Sequence, residues 1–124
     1  NDKGISIGEG SMVSVKNTHL EDNNIGIAVK DGSSSIIEKS NLLNNSIQVA
    51  AYAKNWQYGG GGKVKILNSE LSSNQNNFDT SSDPDDKDSD ESKELVQNSK
   101  IELINSIVKG EIKIKGENFI NLKK

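Results

Sequence analysis

Gly4-Ile5-Ser6-Ile7-Gly8-Glu9-Gly10-Ser11 and Gly26-Ile27-Ala28-Val29-Lys30-Asp31-Gly32-Ser33 are one phrase written twice, 22 residues apart. The copies run on without a gap, as 4–25 and 26–47. Gly4/Gly26, Ile5/Ile27, Gly10/Gly32, Ser11/Ser33, Leu20/Leu42, Asn23/Asn45 and Ile25/Ile47 are identical pairs. Ile7/Val29, Glu9/Asp31, Val15/Ile37, Thr18/Ser40 and Asp22/Asn44 are close replacements. A fixed period of this size is the mark of stacked structural repeats, each burying a short apolar row against its neighbours.

Inside each copy the apolar spacing is two. Ile5/Ile7, Val13/Val15 and Ile27/Val29 obey it, and Ile112/Ile114 near the C-terminus does too. That is strand periodicity and excludes an all-α chain. Gly8-Glu9-Gly10-Ser11, Asn17-Thr18 and Glu21-Asp22-Asn23-Asn24 punctuate the first copy as turns. The strands between them are too short for a free hairpin sheet and lack tight hairpin signals. They gain stability by pairing in parallel with their copies one coil along, about 4.8 Å away.

Further along, Ile47, Val49 and Ala51 open a third coil, and Val64 and Ile66 continue it after an excursion over 52–63. Seven residues are inserted there relative to the second copy, and they include Trp56, Tyr58 and the run Gly59-Gly60-Gly61-Gly62. The stretch 79–94 follows, with eight acids, two lysines and no apolar residue but Pro84. It cannot offset its ordering entropy by burial and is expected to be a disordered acidic loop. A fourth coil resumes at Leu95, where Ile101-Glu102-Leu103-Ile104-Asn105-Ser106-Ile107-Val108 matches Val64-Lys65-Ile66-Leu67-Asn68-Ser69-Glu70-Leu71. A fifth opens with Ile112 and Ile114 and continues with Ile120 and Leu122. Lys113 and Lys115 beside that last strand read as a guard against edge-to-edge association.

Composition agrees with a solenoid. Hydrophobic residues are 31% and aromatics 4% of the chain, thin for a single central core. Asn and Ser make up 33 of 124 residues, which suits turns whose side chains bond nearby backbone. Outside 79–94 the chain carries 13 lysines and ten acids. Arginine is absent, which argues against nucleic acid as a partner. Cysteine is absent too, so no disulfide framework exists. No apolar run is long enough for a transmembrane helix, so membrane insertion is not expected. Starting at Asn1, already inside the repeat pattern, the chain reads as part of a longer protein.

The runs Gly4 to Glu9 and Gly26 to Ser33, each followed by an Asn-rich turn, resemble right-handed parallel β-helix repeats of bacterial secreted and cell-surface proteins. The resemblance implies an all-β fold: a right-handed, single-stranded parallel β-helix of about four to five coils on a 22-residue repeat, with 1–124 as one domain. It implies an extracellular or cell-surface location. It also brings two activities to test against the residues. The lyase-like mechanism needs a base, usually Arg, beside calcium-binding carboxylates, and this chain has no Arg. The polygalacturonase-like pattern needs several aspartates on one strand face, where only Asp31 stands. No catalytic residue carries over.

Four groups of residues remain as candidates. Tyr52, Trp56 and Tyr58 on the 52–63 excursion either stack on sugar rings or fold back to cover a strand face. Asp83, Asp85, Asp86, Asp88 and Asp90 resemble aspartate-rich calcium repeats but lack the glycine that turns such a loop sharply. Glu9 and Asp31 share a column, and each precedes a glycine in a turn, which accounts for both without a ligand. His19 is the sole histidine and lacks partners for base or metal work.

The expectation is a non-catalytic structural spacer or carbohydrate-contact module, with polysaccharide and end-to-end copies of itself as partners and Ca2+ at the acidic loop as the one cofactor to test. The alternative is part of a polysaccharide lyase or hydrolase whose catalytic residues lie outside this chain.

Overall fold

A computed structural model describes residues 2–53, 60–81 and 98–122. Among them every regular element is a strand: β1 (Lys3–Ile7), β2 (Met12–Lys16), β3 (His19–Glu21), β4 (Ile25–Lys30), β5 (Ser34–Glu38), β6 (Asn41–Leu43), β7 (Ile47–Tyr52), β8 (Lys63–Leu67), β9 (Glu70–Asp79), β10 (Lys100–Ile104), β11 (Ile107–Lys115) and β12 (Phe119–Leu122). Every strand pairing is parallel. One sheet runs β12-β10-β8-β5-β2; the other runs β1-β4-β7-β9-β6-β3, with β11 on β9, and curls almost into a barrel. The fold is all-β and solenoid-like.

The apolar alternation sets the register. Ile5 pairs with Ile27 and Ile27 with Val49, while Val15 pairs with Ile37 and Ile37 with Ile66. Leu20 pairs with Leu42 and Leu42 with Leu71. These columns point inward and make one core, in which Ile27, Val29, Ile37, Leu42, Val49, Ile66, Leu71, Ile101 and Leu103 are fully buried. The match between the strands beginning at Val64 and Ile101 holds residue for residue, Ile101 on Val64 and Val108 on Leu71.

The expected restart of the fourth coil at Leu95 lies outside the described residues. The second half of β9 is not expected from the sequence as a strand; it pairs Phe78 with Val49 on one side and with Ile114 on the other. Of the stretch 79–94, expected to be disordered, Asp79 instead ends β9, is buried, and accepts bonds from the Ser81 N–H and hydroxyl, while 82–94 lie outside the described residues. In β12 the inward residue is Phe119, on Ile101, rather than Ile120. Phe119 packs its ring against Phe78 at 4.8 Å between centroids. The physical reason is alternation: Ile101 and Leu103 face the core, so Glu102 and its partner Ile120 face away.

Two hydrogen-bonded side-chain ladders brace the turns. Thr18, Ser40 and Ser69 each donate their backbone N–H to the hydroxyl of Ser40, Ser69 and Ser106 in turn, across 22, 29 and 37 residues. Each hydroxyl donates to the carbonyl two residues before it. Where apolar side chains cannot turn a corner, buried amides do. Asn23 donates to Asn45 Oδ1, and Asn45 Nδ2 donates to Gln48 Oε1 and Leu20 O. Gln48 Nε2 donates to Asn76 Oδ1, and Asn76 Nδ2 donates to the Lys109 and Glu111 carbonyls. Gly26 is required beside this ladder: a Cβ there would stand 2.6 Å from Gln48 O and 3.0 Å from Asn45 Nδ2.

Candidate functional site

The two long excursions leave the same corner of the solenoid. That corner joins β1 to β2, β4 to β5, β7 to β8, β9 to β10, and β11 to β12. In the first two layers it is a tight turn in which Glu9-Gly10 and Asp31-Gly32 all have positive φ. Glu9 is exposed and Asp31 is buried, and Gly10 N donates to Asp31 O. The left-handed backbone explains the acid-glycine column, since a short polar residue and then glycine tolerate it best.

The described ends of both excursions are tied to that corner. Gly32 N donates to the Gly60 and Gly61 carbonyls, and Lys100 N donates to Gly62 O. Thr80 Oγ1 donates to Glu117 O, and Asn118 Nδ2 donates to Ser99 O. Gly61 and Gly62 pass too close to Ser99 and to the Val29 carbonyl for any Cβ, so packing accounts for this part of the glycine run.

Tyr52 is not on an open loop. It ends β7, is 1% exposed, and sits in a second small cluster with Ile25, Ala28 and Ala50. Its ring offers no free face to a sugar. Trp56 and Tyr58 lie outside the described residues, as do Asp83, Asp85, Asp86, Asp88 and Asp90. Among the described residues no group of three or more His, Asp or Glu is placed to hold a metal ion. His19 is more than half exposed and touches Glu21 Oε1 at 3.0 Å.

A different corner carries a groove. The turns from β2 to β3, β5 to β6, β8 to β9 and β10 to β11 repeat as Asn17-Thr18-His19, Lys39-Ser40-Asn41, Asn68-Ser69-Glu70 and Asn105-Ser106-Ile107. Their first residues all have φ near 50°, which stacks four left-handed turns. The last three turns line a groove of about 640 Å³ that crosses three layers. Lys39, Asn41 and Ile107 are exposed along it, Glu70 is half-buried, and Asn105 Nδ2 donates to Asn68 Oδ1 at 2.7 Å. Glu70 is held by Lys109 at 2.9 Å. Sequence reasoning places these residues in turn columns but does not see the hollow between them. The only signal for it is the recurrence of Asn or Lys, then a hydroxyl, then a polar residue.

The outer face of β5, β8 and β10 has a smaller hollow of about 350 Å³, lined by Ser34, Ile36, Lys63, Lys65, Lys100 and Glu102. Lys63 and Lys100 are direct ladder partners there, and Lys100 leans on Glu102 at 3.4 Å.

No protein-family model, curated protein or solved structure matches the chain. The reading of the site therefore rests on its own geometry and chemistry.

Proposed function

We propose that the chain is a non-catalytic stretch of right-handed parallel β-helix, about five coils on a 22-residue repeat, from a bacterial extracellular or surface protein. It serves as a rigid spacer that also contacts carbohydrate. The observation that carries the carbohydrate half is the groove along Lys39, Asn41, Asn68, Glu70, Asn105 and Ile107. Its polar groups recur once per strand spacing, about 4.8 Å, close to the advance of one pyranose unit in an extended glycan. Amides, a carboxylate and hydroxyl-bearing turns match the mixed donor and acceptor needs of neutral sugars. The rigid ladders below fix the groove before a ligand arrives, which lowers the entropic cost of binding.

The test is a glycan array followed by titration calorimetry on the best neutral oligosaccharide. Asn41→Ala and Ile107→Asp should each weaken binding about tenfold, while Trp56→Ala separates the groove from the aromatic excursion. Binding lost only in Trp56→Ala would move the site to that excursion. No binding to any saccharide would leave the spacer role alone.

A further inference from the structure

We propose that the outer face of β5, β8 and β10 holds a binding site for a sugar phosphate, in which Lys63, Lys65 and Lys100 take the phosphate monoester and Ile36 takes the face of the ring. The site is separate from the groove at the turns and does not rest on the carbohydrate reading of that groove.

The site lies in the interior of the stack. In the order β12-β10-β8-β5-β2, each of its three strands has a partner on both sides. Alternation sends Ser35, Ile37, Val64, Ile66, Ile101 and Leu103 into the molecule, so their neighbours along each strand face out. The register then fixes which outward side chains meet. Ser34, Lys63 and Lys100 form one column, and Ile36, Lys65 and Glu102 form the next. The two columns line the hollow of about 350 Å³. That size falls within the range of small-molecule sites, about 300–1,000 Å³, and leaves room for a ring beside a phosphate.

Folding alone does not account for this arrangement. Like charges directly opposite on neighbouring strands destabilise a sheet, and Lys63 and Lys100 are direct ladder partners. Lys100 reaches Glu102 at 3.4 Å, whereas among the described residues neither Lys63 nor Lys65 has an ion-pair partner. Glu38, the next acid on this face, stands a column away against Leu67. Ile36 is 45% exposed in the midst of these charges. An anion over the lysines would offset their repulsion, and a ring over Ile36 would cover it.

Charge and shape choose the ligand. Three lysines against Glu102 leave the hollow a formal charge of +2. A phosphate monoester carries about −1.5 to −2 at pH 7 and presents three acceptor oxygens, one for each ammonium. A carboxylate or a sulfate ester carries a single negative charge and leaves the hollow half-neutralised. Lys binds phosphate as a point charge, without the bidentate fork of Arg. The lack of arginine therefore does not count against a lone phosphate. Ser34 and Glu102 stand beside the lysines and Ile36, where they can meet the sugar hydroxyls.

The experiment is a heteronuclear NMR titration of the full chain with glucose 6-phosphate, glucose 6-sulfate and glucose, above and below the second phosphate pKa of about 6. The phosphate should shift the amides of Ile36, Lys65 and Lys100 saturably, and bind more weakly below that pKa, where it loses a charge. The sulfate ester keeps its one charge and should bind more weakly, to the same extent on both sides; it also reports any change in the protein itself. Glucose should leave these amides unmoved. Lys63→Gln and Lys65→Gln should each weaken the phosphate about three- to fivefold, while Lys113→Gln, on β11, should not weaken it. Equal binding of the two esters at both pH values, a loss in Lys113→Gln as large as in Lys63→Gln, or shifts confined to the groove at Asn41 and Ile107 would each overturn the proposal. So would glucose moving these amides as far as its phosphate does, or no saturable shift at all.

Discussion

Asn45 is a central rung of the buried amide ladder. It is 1% exposed, accepts two bonds from Asn23, and donates to Gln48 and to the Leu20 carbonyl. Asn45→Ala would leave buried partners of all these bonds unpaired, at about 1–3 kcal/mol for such a group. It should lower stability by about 2–3 kcal/mol, whereas Asn41→Ala, on the exposed groove, should change it by no more than about 0.5 kcal/mol. Urea denaturation of both variants checks this, and equal midpoints would refute the ladder. A second residue shows the opposite tension. Lys39 has φ of 50° in a column otherwise filled by Asn17, Asn68 and Asn105. Asn visits this backbone region far more readily than Lys. Lys39→Asn should therefore raise stability by about 0.5–1 kcal/mol, read as a shift in urea midpoint at constant slope.

At the scale of elements, the legible part of the sequence is the part whose core is apolar. β1, β4 and β7, and likewise β2, β8 and β10, announce themselves because an apolar residue recurs at every second position. The second half of β9 does not, because Gln75-Asn76-Asn77 precede Phe78 with no apolar partner two residues away. Asn76 is inside nonetheless, fully buried by its bonds to Gln48 and to two carbonyls of β11. A pattern search for alternating hydrophobicity cannot see a buried amide. Phe119 is missed because Ile120 and Leu122 imitate an inward pair while facing outward. The groove is less legible still, since a hollow arises from how three turns are spaced and not from the identity of any one. The columns of the hydroxyl ladder are legible, as the Thr18/Ser40 replacement and the Ser69/Ser106 match, but not that each hydroxyl takes the backbone N–H of the neighbouring layer.

For the whole molecule, the stacked layout makes stability a matter of neighbours. Each layer is held by the layers on either side, so a layer with one neighbour is held about half as well as a layer with two. The burial pattern already follows this rule. Inward apolar residues of β4, β5, β7, β8 and β10 are buried to 2% or less, whereas Ile5 and Leu20 at one end and Val108 and Phe119 at the other are only partly buried. Backbone amides open locally with free energies that run from near zero at fraying ends up to the global value in the core. Native-state hydrogen exchange should therefore give a gradient along the axis: slowest amides in β5, β7, β8 and β10, fastest in β1 to β3, β11 and β12. The measurement belongs at low micromolar concentration, where chains are apart. Uniform protection from end to end would mean that the layers open together, and the neighbour-by-neighbour account of this fold would fail. A gradient with its minimum in the middle would point to the two excursions at the β7–β8 and β9–β10 corners as the weak place instead. The hydrogen bonds that tie Gly60, Gly61 and Gly62 to Gly32 and Lys100 argue for the first outcome, because they knit that corner across three successive layers.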